Sequence, residues 1–430
     1  MQMLKRGQAW QWPAIFLGLT VVLFLGLFDT GLAVESYLKD GQVFDFDYNG
    51  DGKQDLCLYR PGAGAIYILR SGGVGTFKTV YAQGNGGAGI ARYNLSSAND
   101  RVFPFDFNGD GKSDLCLYRP GTGAIFIARS NGDGTFTAVY KQGNPGKGIA
   151  GYSLRSVNDR VFPFDFNGDG KSDLCLYRPG AGAIYIARSN GDGTFTAVYR
   201  QGDPGSGIAG YSLRSSSDRV FPFDFNGDGR SDLCLYRPGA GAIYIAGSNG
   251  DGTFTAVYRQ GDPGSGIAGY SLRSSSDRVF PFDYNGDGRS DLCLYRPGAG
   301  AIAIVRSNGD GTFYPVYFQG APGSGIAGYS LRGKCDQVFP FDYNGDGKQD
   351  LCLYRPGTGA IFVVRSNGNG TFTAVYREGA PGLGIAGYGL KDINDRVFAC
   401  DHNGDGDDDL CLYIPGTGAI AVIESACELQ

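Results

Sequence analysis

Residues 106–125 read D-F-N-G-D-G-K-S-D-L-C-L-Y-R-P-G-T-G-A-I, and versions of this stretch occur seven times in the chain. The first half, Asp106 to Asp114, is an oxygen-rich loop; the second, Leu115 to Tyr118, is a short apolar strand. The first loop residue returns at Asp47, Asp106, Asp165, Asp224, Asp283, Asp342 and Asp401, every step being 59 residues. A fixed period of that length overrides any domain count drawn from 430 residues alone.

One unit predicts four short strands. Val102 to Phe105 is the first (A), Leu115 to Tyr118 the second (B), Ala124 to Ala128 the third (C) and Thr135 to Tyr140 the fourth (D). R-P-G-T-G and S-N-G-D-G-T-F make the turns around strand C, and a connector ending at Asp159 leads to the next unit. Four antiparallel strands repeated radially describe a β-propeller blade. Proline inside strand A, at Pro104, Pro163, Pro222, Pro281 and Pro340, requires an edge strand, because proline donates no ladder hydrogen bond. An innermost strand facing a central channel meets that requirement. The connector must cross three strand spacings of about 4.8 Å each, too far for a tight turn. The fold class is therefore all-β, a seven-bladed β-propeller over residues 34–430. Strand D has only six copies. The last blade has three strands, or residues near 18–25 complete it.

Composition agrees with many short strands. Glycine accounts for 73 residues, roughly two and a half times the usual share of about 7%, and it clusters at turns. The net charge is −5, and 21 of the 43 acidic residues are the three Asp positions repeated in the seven loops, where clustered carboxylates suit a cation. No Lys/Arg run or basic stripe suggests nucleic acid. Residues 1–33 read as a signal peptide or N-terminal membrane anchor: Lys5 and Arg6 precede an apolar run from Pro13 to Phe28, and Gly31-Leu32-Ala33 follows. The run is short for a spanning helix, so export with cleavage is the favoured reading. Seven cysteines (Cys57, Cys116, Cys175, Cys234, Cys293, Cys352 and Cys411) share one repeat position and read as small buried hydrophobes. Cys335, Cys400 and Cys427 fall outside the pattern and allow one disulfide at most among themselves.

Each loop is D-x-N-G-D-G-x-x-D. Ca²⁺ takes six to eight oxygens at about 2.3–2.6 Å from carboxylates, amide or backbone carbonyls and water. Positions 1, 3, 5 and 9 supply side-chain oxygens and position 7 a backbone carbonyl. The candidate ligands are Asp47, Asn49, Asp51 and Asp55; Asp106, Asn108, Asp110 and Asp114; Asp165, Asn167, Asp169 and Asp173; and Asp224, Asn226, Asp228 and Asp232. The later loops add Asp283, Asn285, Asp287 and Asp291; Asp342, Asn344, Asp346 and Asp350; and Asp401, Asn403, Asp405 and Asp409. Up to seven Ca²⁺ are expected, one per A–B loop. Position 12 is Leu117 rather than Glu, so this is not an EF-hand. The plain alternative is a turn, for which Asp, Asn and Gly are also suited. The S-N-G-D-G-T-F hairpin is the internal control. Its first copy is S-G-G-V-G-T-F and its sixth has Asn369, whereas no loop loses an Asp. His402, the only histidine, stands at the non-ligating second position and reads as a solvated substituent.

D-F-N-G-D-G-K-S-D-L, followed about fifteen residues later by S-N-G-D-G-T-F, resembles the FG-GAP/VCBS repeats of integrin-alpha-like propellers over roughly residues 40–430. The resemblance implies a seven-bladed propeller with Ca²⁺ in its A–B loops, working in adhesion or in carbohydrate and protein recognition outside the cell. It carries the same ligands onto Asp47, Asn49, Asp51, Asp55 and their equivalents. Family members often bind Ca²⁺ in only some blades; here all seven loops qualify.

The opposite face carries the R-P-G-x-G turns and the connectors. It presents Arg60, Arg119, Arg178, Arg237, Arg296 and Arg355, with Ile414 in the seventh place, and the connector tyrosines Tyr152, Tyr211, Tyr270, Tyr329 and Tyr388. These are the candidate ligand-binding residues, able to grip a glycan or an extracellular protein several times over. The competing reading pairs the arginines with connector residues such as Asp159 and Asp218 and buries the tyrosines between blades. A single histidine and near-identical blades argue against an enzyme, whose chemistry needs one asymmetric constellation. The functional expectation is a secreted, extracellular or cell-surface module (periplasmic in a bacterium), meeting membrane only if residues 1–33 stay uncleaved. The alternative is a purely structural scaffold.

Overall fold

The computed structural model describes residues 19–20, 41–415 and 419–425. They form seven antiparallel sheets arranged as a seven-bladed β-propeller. In the second blade strand A is Arg101–Phe105, B is Asp114–Arg119, C is Ala124–Ser130 and D is Phe136–Gln142. Strand B begins one residue earlier than expected, so the ninth loop residue already belongs to the sheet. No helix among the described residues is long and apolar enough to cross a membrane.

Why strand B reads D-L-C-L-Y-R follows from its two neighbours. In a ring of face-packed sheets both faces of a middle strand are covered, so the strand has no solvent side and no polar alternation. Leu115 and Leu117 pack with Cys57, Tyr59, Ile66 and Ile68 of the first blade. Cys116 and Tyr118 face the other way, onto Leu174 and Leu176 of the third. Five further interfaces repeat this arrangement, and the last joins Leu56 and Leu58 of blade one to Cys411, Tyr413 and Val422 of blade seven. The ring is closed by packing.

Strand A is innermost, hydrogen-bonded on one side only. The Val102 N–H points off the ladder to Tyr59 Oη of the preceding blade at 3.4 Å. Pro104 has the same parity, so its missing N–H falls on the free edge, where nothing is lost. On the opposite sheet edge, the C–D pairing shifts register between Ile127 and Ala128, a bulge that recurs in the other complete blades.

In the seventh sheet, strands Arg396–Cys400, Asp409–Ile414 and Ala419–Ser425 come from the end of the chain. Leu19–Thr20 lies along the outermost of them, pairing Leu19 with Ser425 and Thr20 with Glu424. That is the position of a fourth strand, taken by residues within the stretch 18–25. The rest of the segment read as a signal peptide or anchor lies outside the described residues.

Two expectations are corrected at this blade. Cys411 is not a free thiol like its six counterparts; it forms a disulfide with Cys400, their Cα atoms 6.4 Å apart. Cys400 occupies the place of Phe105, a ring that packs beside Cys116, so the Phe-to-Cys change sets a second sulfur against the repeat cysteine. The six others are buried and unpaired, and burial pushes their thiols well above the ordinary range. Cys335 is free and exposed; Cys427 lies outside the described residues. His402 is likewise not solvated but fully buried. The second loop position points into the next interface, where Phe107 and Phe166 lie in other blades. A histidine there must satisfy both ring nitrogens: Nδ1 meets Asp409, and Nε2 lies 3.2 Å from Glu424 and 3.0 Å from the Gly75 N–H.

Candidate metal centres and the opposite face

The loop closes around its first aspartate. Asp106 Oδ1 accepts the Gly109 N–H at 2.7 Å and Oδ2 the Gly111 N–H at 2.9 Å. Both glycines have φ near +75°, a backbone that side chains rarely adopt. Asn108 Oδ1 accepts the Asp110 N–H at 3.1 Å, and Asp110 Oδ1 the Lys112 N–H at 3.0 Å. The outer oxygen of Asp110 faces the Lys112 ammonium at 3.3 Å. Loops three, four and six turn the fifth-position carboxylate to their own Lys171, Arg230 and Lys348 in the same way.

Asp114 differs from the other loop acids. It is fully buried; one oxygen accepts the Ser130 N–H at 2.7 Å, and the other, Oδ2, has no partner. The same oxygen is orphaned in Asp55, Asp173, Asp291 and Asp350. A buried carboxylate oxygen without a partner is costly and calls for a proton or a cation. Burial first, then the nearby Asp106 and Asp110, push Asp114 up to about 7, against the pull of the Ser130 N–H. Asp55, Asp173, Asp232 and Asp291 are also raised to about 7, and Asp350 to about 8, burial again leading. Asp232 and Asp409 escape the vacancy: the Phe225 N–H reaches Asp232 Oδ2 at 3.2 Å, and His402 bonds Asp409. The orphaned oxygens and the oxygen-only donor set fit Ca²⁺. Among the described residues no three acidic, histidine or cysteine side chains converge as they stand into a metal cluster.

Each loop is also fastened to its neighbour. The Ser189 hydroxyl of the third blade donates to the Phe107 carbonyl at 2.6 Å, and the Ser172 N–H to the Asp106 carbonyl at 2.7 Å. Ser189 in turn donates its own N–H to Asp173 of the third loop. Loop, serine and next loop thus form a chain around the ring. The serine closing strand C recurs in all seven copies, a signal present in the sequence that loop-centred reasoning passed over.

On the opposite face the candidate arginines and tyrosines do meet, but on each other. Arg119 grips Asp100 with both oxygens, Nε to Oδ1 at 2.7 Å and Nη2 to Oδ2 at 2.8 Å. Tyr93 Oη donates to the same Asp100 at 2.7 Å, and the guanidinium stands 5.8 Å from the Tyr93 ring centre. The clamp recurs as Arg178–Asp159–Tyr152, Arg237–Asp218–Tyr211, Arg296–Asp277–Tyr270 and Arg355–Asp336–Tyr329. The aspartates and tyrosines are buried. Tyr93 was missed because its surroundings read A-R-Y rather than A-G-Y, although the 59-residue register reaches it.

The two remaining copies are incomplete in opposite senses. Gly41 stands where Arg60 needs an aspartate, and Arg60 Nε and Nη2 are buried without partners while Nη1 reaches Asn85 at 3.1 Å. Ile414 stands where Asp395 needs an arginine, and Asp395 Oδ1 and the Tyr388 hydroxyl are left alone.

The FG-GAP-like repeat pattern matches five times, over residues 106–176, 165–235, 224–294, 283–352 and 342–412. No protein of curated function matches the sequence. Among solved structures, an Agrocybe aegerita lectin described as recognising non-reducing terminal N-acetylglucosamine aligns with TM-score 0.57 and 23% identity, over 82% of this chain and 84% of the lectin. BBS1N, solved in complex with ARL6DN, aligns with TM-score 0.48 and 10% identity over 93% and 95%. A streptogramin B lyase aligns with TM-score 0.43 and 11% identity over 90% and 99%.

Proposed function

The chain belongs to the FG-GAP-like repeat family, and from that premise we propose a calcium-stabilised, non-catalytic recognition module that binds glycan or protein partners outside the cell. The observation that carries this reading is the sameness of the blades: buried acid, serine staple and clamp recur around the ring, and repetition of one unit suits multivalent binding. His402, the only histidine in the sequence, is fully buried against Asp409 and Glu424, which supports a binding role over acid–base chemistry. The lectin of like fold makes sugars with terminal N-acetylglucosamine the first ligands to try.

Calcium belongs to the scaffold in this proposal. The first, third, fifth and ninth residues of each loop would hold it, with Asp114 and its counterparts supplying the orphaned oxygen. Bound there, Ca²⁺ supplies positive charge to carboxylates that otherwise repel each other. Asp110 and its equivalents must then leave Lys112, Lys171, Arg230 or Lys348. Export agrees with this, because extracellular calcium is high enough to fill weak sites.

A glycan array read beside a pull-down tests the reading. Binding to a defined sugar class or a defined protein supports it. Silence on both with folded, calcium-loaded protein would favour a structural scaffold instead.

A further inference from the structure

The first residue of strand A stands at the mouth of the central channel, on the connector face. It is Arg101, Arg160, Arg219 and Arg278 in blades two to five and Arg396 in blade seven, with Gln42 and Gln337 in the others. The four arginines of blades two to five are exposed. Neighbours are close enough to share a group: the Tyr118 hydroxyl lies in the field of both Arg101 and Arg160, Tyr177 in that of Arg160 and Arg219, and Tyr236 in that of Arg219 and Arg278. Across the seam Arg396 Nη1 donates to Gln42 Oε1 at 2.9 Å. The seven side chains therefore form one ring about the axis.

The charge of this ring is not cancelled locally. The residue before each arginine is an aspartate in blades two to five, yet Asp100, Asp159, Asp218 and Asp277 are turned inward and held by the clamp arginines. Blades two and five thus place one aspartate against two arginines at the mouth. In blades three and four Arg178 and Arg237 hold Asp203 and Asp262 as well, so that Asp159, Asp218 and these two acids are all taken up by the clamps and none by Arg160 or Arg219. The acids that make the chain negative lie in the loops of the opposite face. Fixed charge of one sign focused on a ring attracts the other sign strongly, and guanidinium forks match planar or tetrahedral oxyanions.

We propose that this mouth binds clustered oxyanions, the sulfates or uronates of an acidic glycan. The ring itself carries no carboxylate: Asp203 and Asp262 on the same face are tied to Arg178 and Arg237, and Asp395, beside Arg396, is buried. Its tyrosines are buried beneath the arginines and give no platform on which nucleic-acid bases could stack. The inference rests on the recognition reading above and names the ligand class for the channel mouth.

Heparin oligosaccharide binding to the full chain, measured by calorimetry at low and physiological salt, tests it. The triple variant Arg160→Ser, Arg219→Ser, Arg278→Ser should fold normally and bind at least tenfold more weakly. A control with Arg188→Ser, Arg200→Ser and Arg259→Ser, exposed residues on the outer strands, should bind within about twofold of the parent. Equal losses in both variants would mean diffuse attraction and overturn the site. Polyglutamate bound more tightly than heparin through the same arginines would replace the glycan by an acidic polypeptide and overturn the ligand class. Neutral sugars bound on an array, with heparin ignored, would overturn this inference while leaving the recognition reading intact.

Discussion

At the scale of single residues, the informative positions are those where one blade departs from the others. Ile414 leaves Asp395 buried with a lone oxygen, and burial, followed by Asp392, raises its carboxyl above the ordinary range. Five sister blades show what the position accepts: a guanidinium on both carboxylate oxygens and over a tyrosine ring. Ile414→Arg should therefore stabilise the protein at neutral pH by roughly 1–3 kcal/mol, the scale of charge-assisted hydrogen bonds regained. The converse change, Arg237→Ile, should cost about 3–5 kcal/mol by stranding Asp218. Urea midpoints decide it, and a lower midpoint for Ile414→Arg would refute the clamp as a stabilising device. His402 and Cys411 teach the limits of sequence reading at this scale. Repeat register places both residues correctly, but register alone does not say which neighbour their side chains face. The second loop position looks like a surface substituent until the next blade is seen to cover it.

At the scale of elements, the loop and strand B act as one unit, because the last loop acid is the first strand residue. That junction explains why the loop was legible while its chemistry was only partly so. Asp, Asn and Gly at fixed spacing reveal oxygens and turns, but not that position nine is buried, with one oxygen held by the backbone N–H at the end of strand C, sixteen residues on. The pH behaviour follows from that burial. Asp55, Asp114, Asp173, Asp232 and Asp291 titrate near 7 in the folded chain against an ordinary 3.8, and Asp350 near 8. A raised acid favours folding while protonated, so its contribution is fully present below pH 4 and is lost as pH rises through about 7 to 8. Metal-free protein should melt at falling temperature from pH 4 to pH 8 as these six groups ionise. Saturating Ca²⁺ should flatten or reverse that slope, since it displaces the same protons, and Mg²⁺ should not, because it keeps its water shell. At a hundred times its dissociation constant each bound ion adds about 2.7 kcal/mol. A melting curve indifferent to exhaustive chelation at pH 7.5 would rule calcium out of the loops.

At the scale of the whole molecule, the two faces divide the work. Negative loops and serine staples lock blade to blade on one side, while the arginine ring opens on the other, so the residues that stiffen the ring are separate from those of the proposed oxyanion site. The division depends on a closed ring. Closure is visible in the packing of Leu56 and Leu58 on Tyr413 and Val422, in the Arg396–Gln42 hydrogen bond, and in the Ser71 hydroxyl donating to the His402 carbonyl at 2.5 Å. An open arc of the same blades would leave that seam wet and its residues free to change. The comparison to make is between two equivalent leucines. Leu176 lies between blades two and three and Leu58 between blades seven and one, both almost fully buried. Truncating a buried leucine to alanine costs about 2–5 kcal/mol where the surroundings cannot collapse. In a closed ring Leu58→Ala should cost as much as Leu176→Ala, within about 1 kcal/mol, by urea denaturation with calcium present. A seam variant that unfolds with the parent's midpoint, beside a clearly weakened Leu176→Ala, would mean that blades one and seven part in solution. The ring of arginines would then lose the geometry that concentrates its charge.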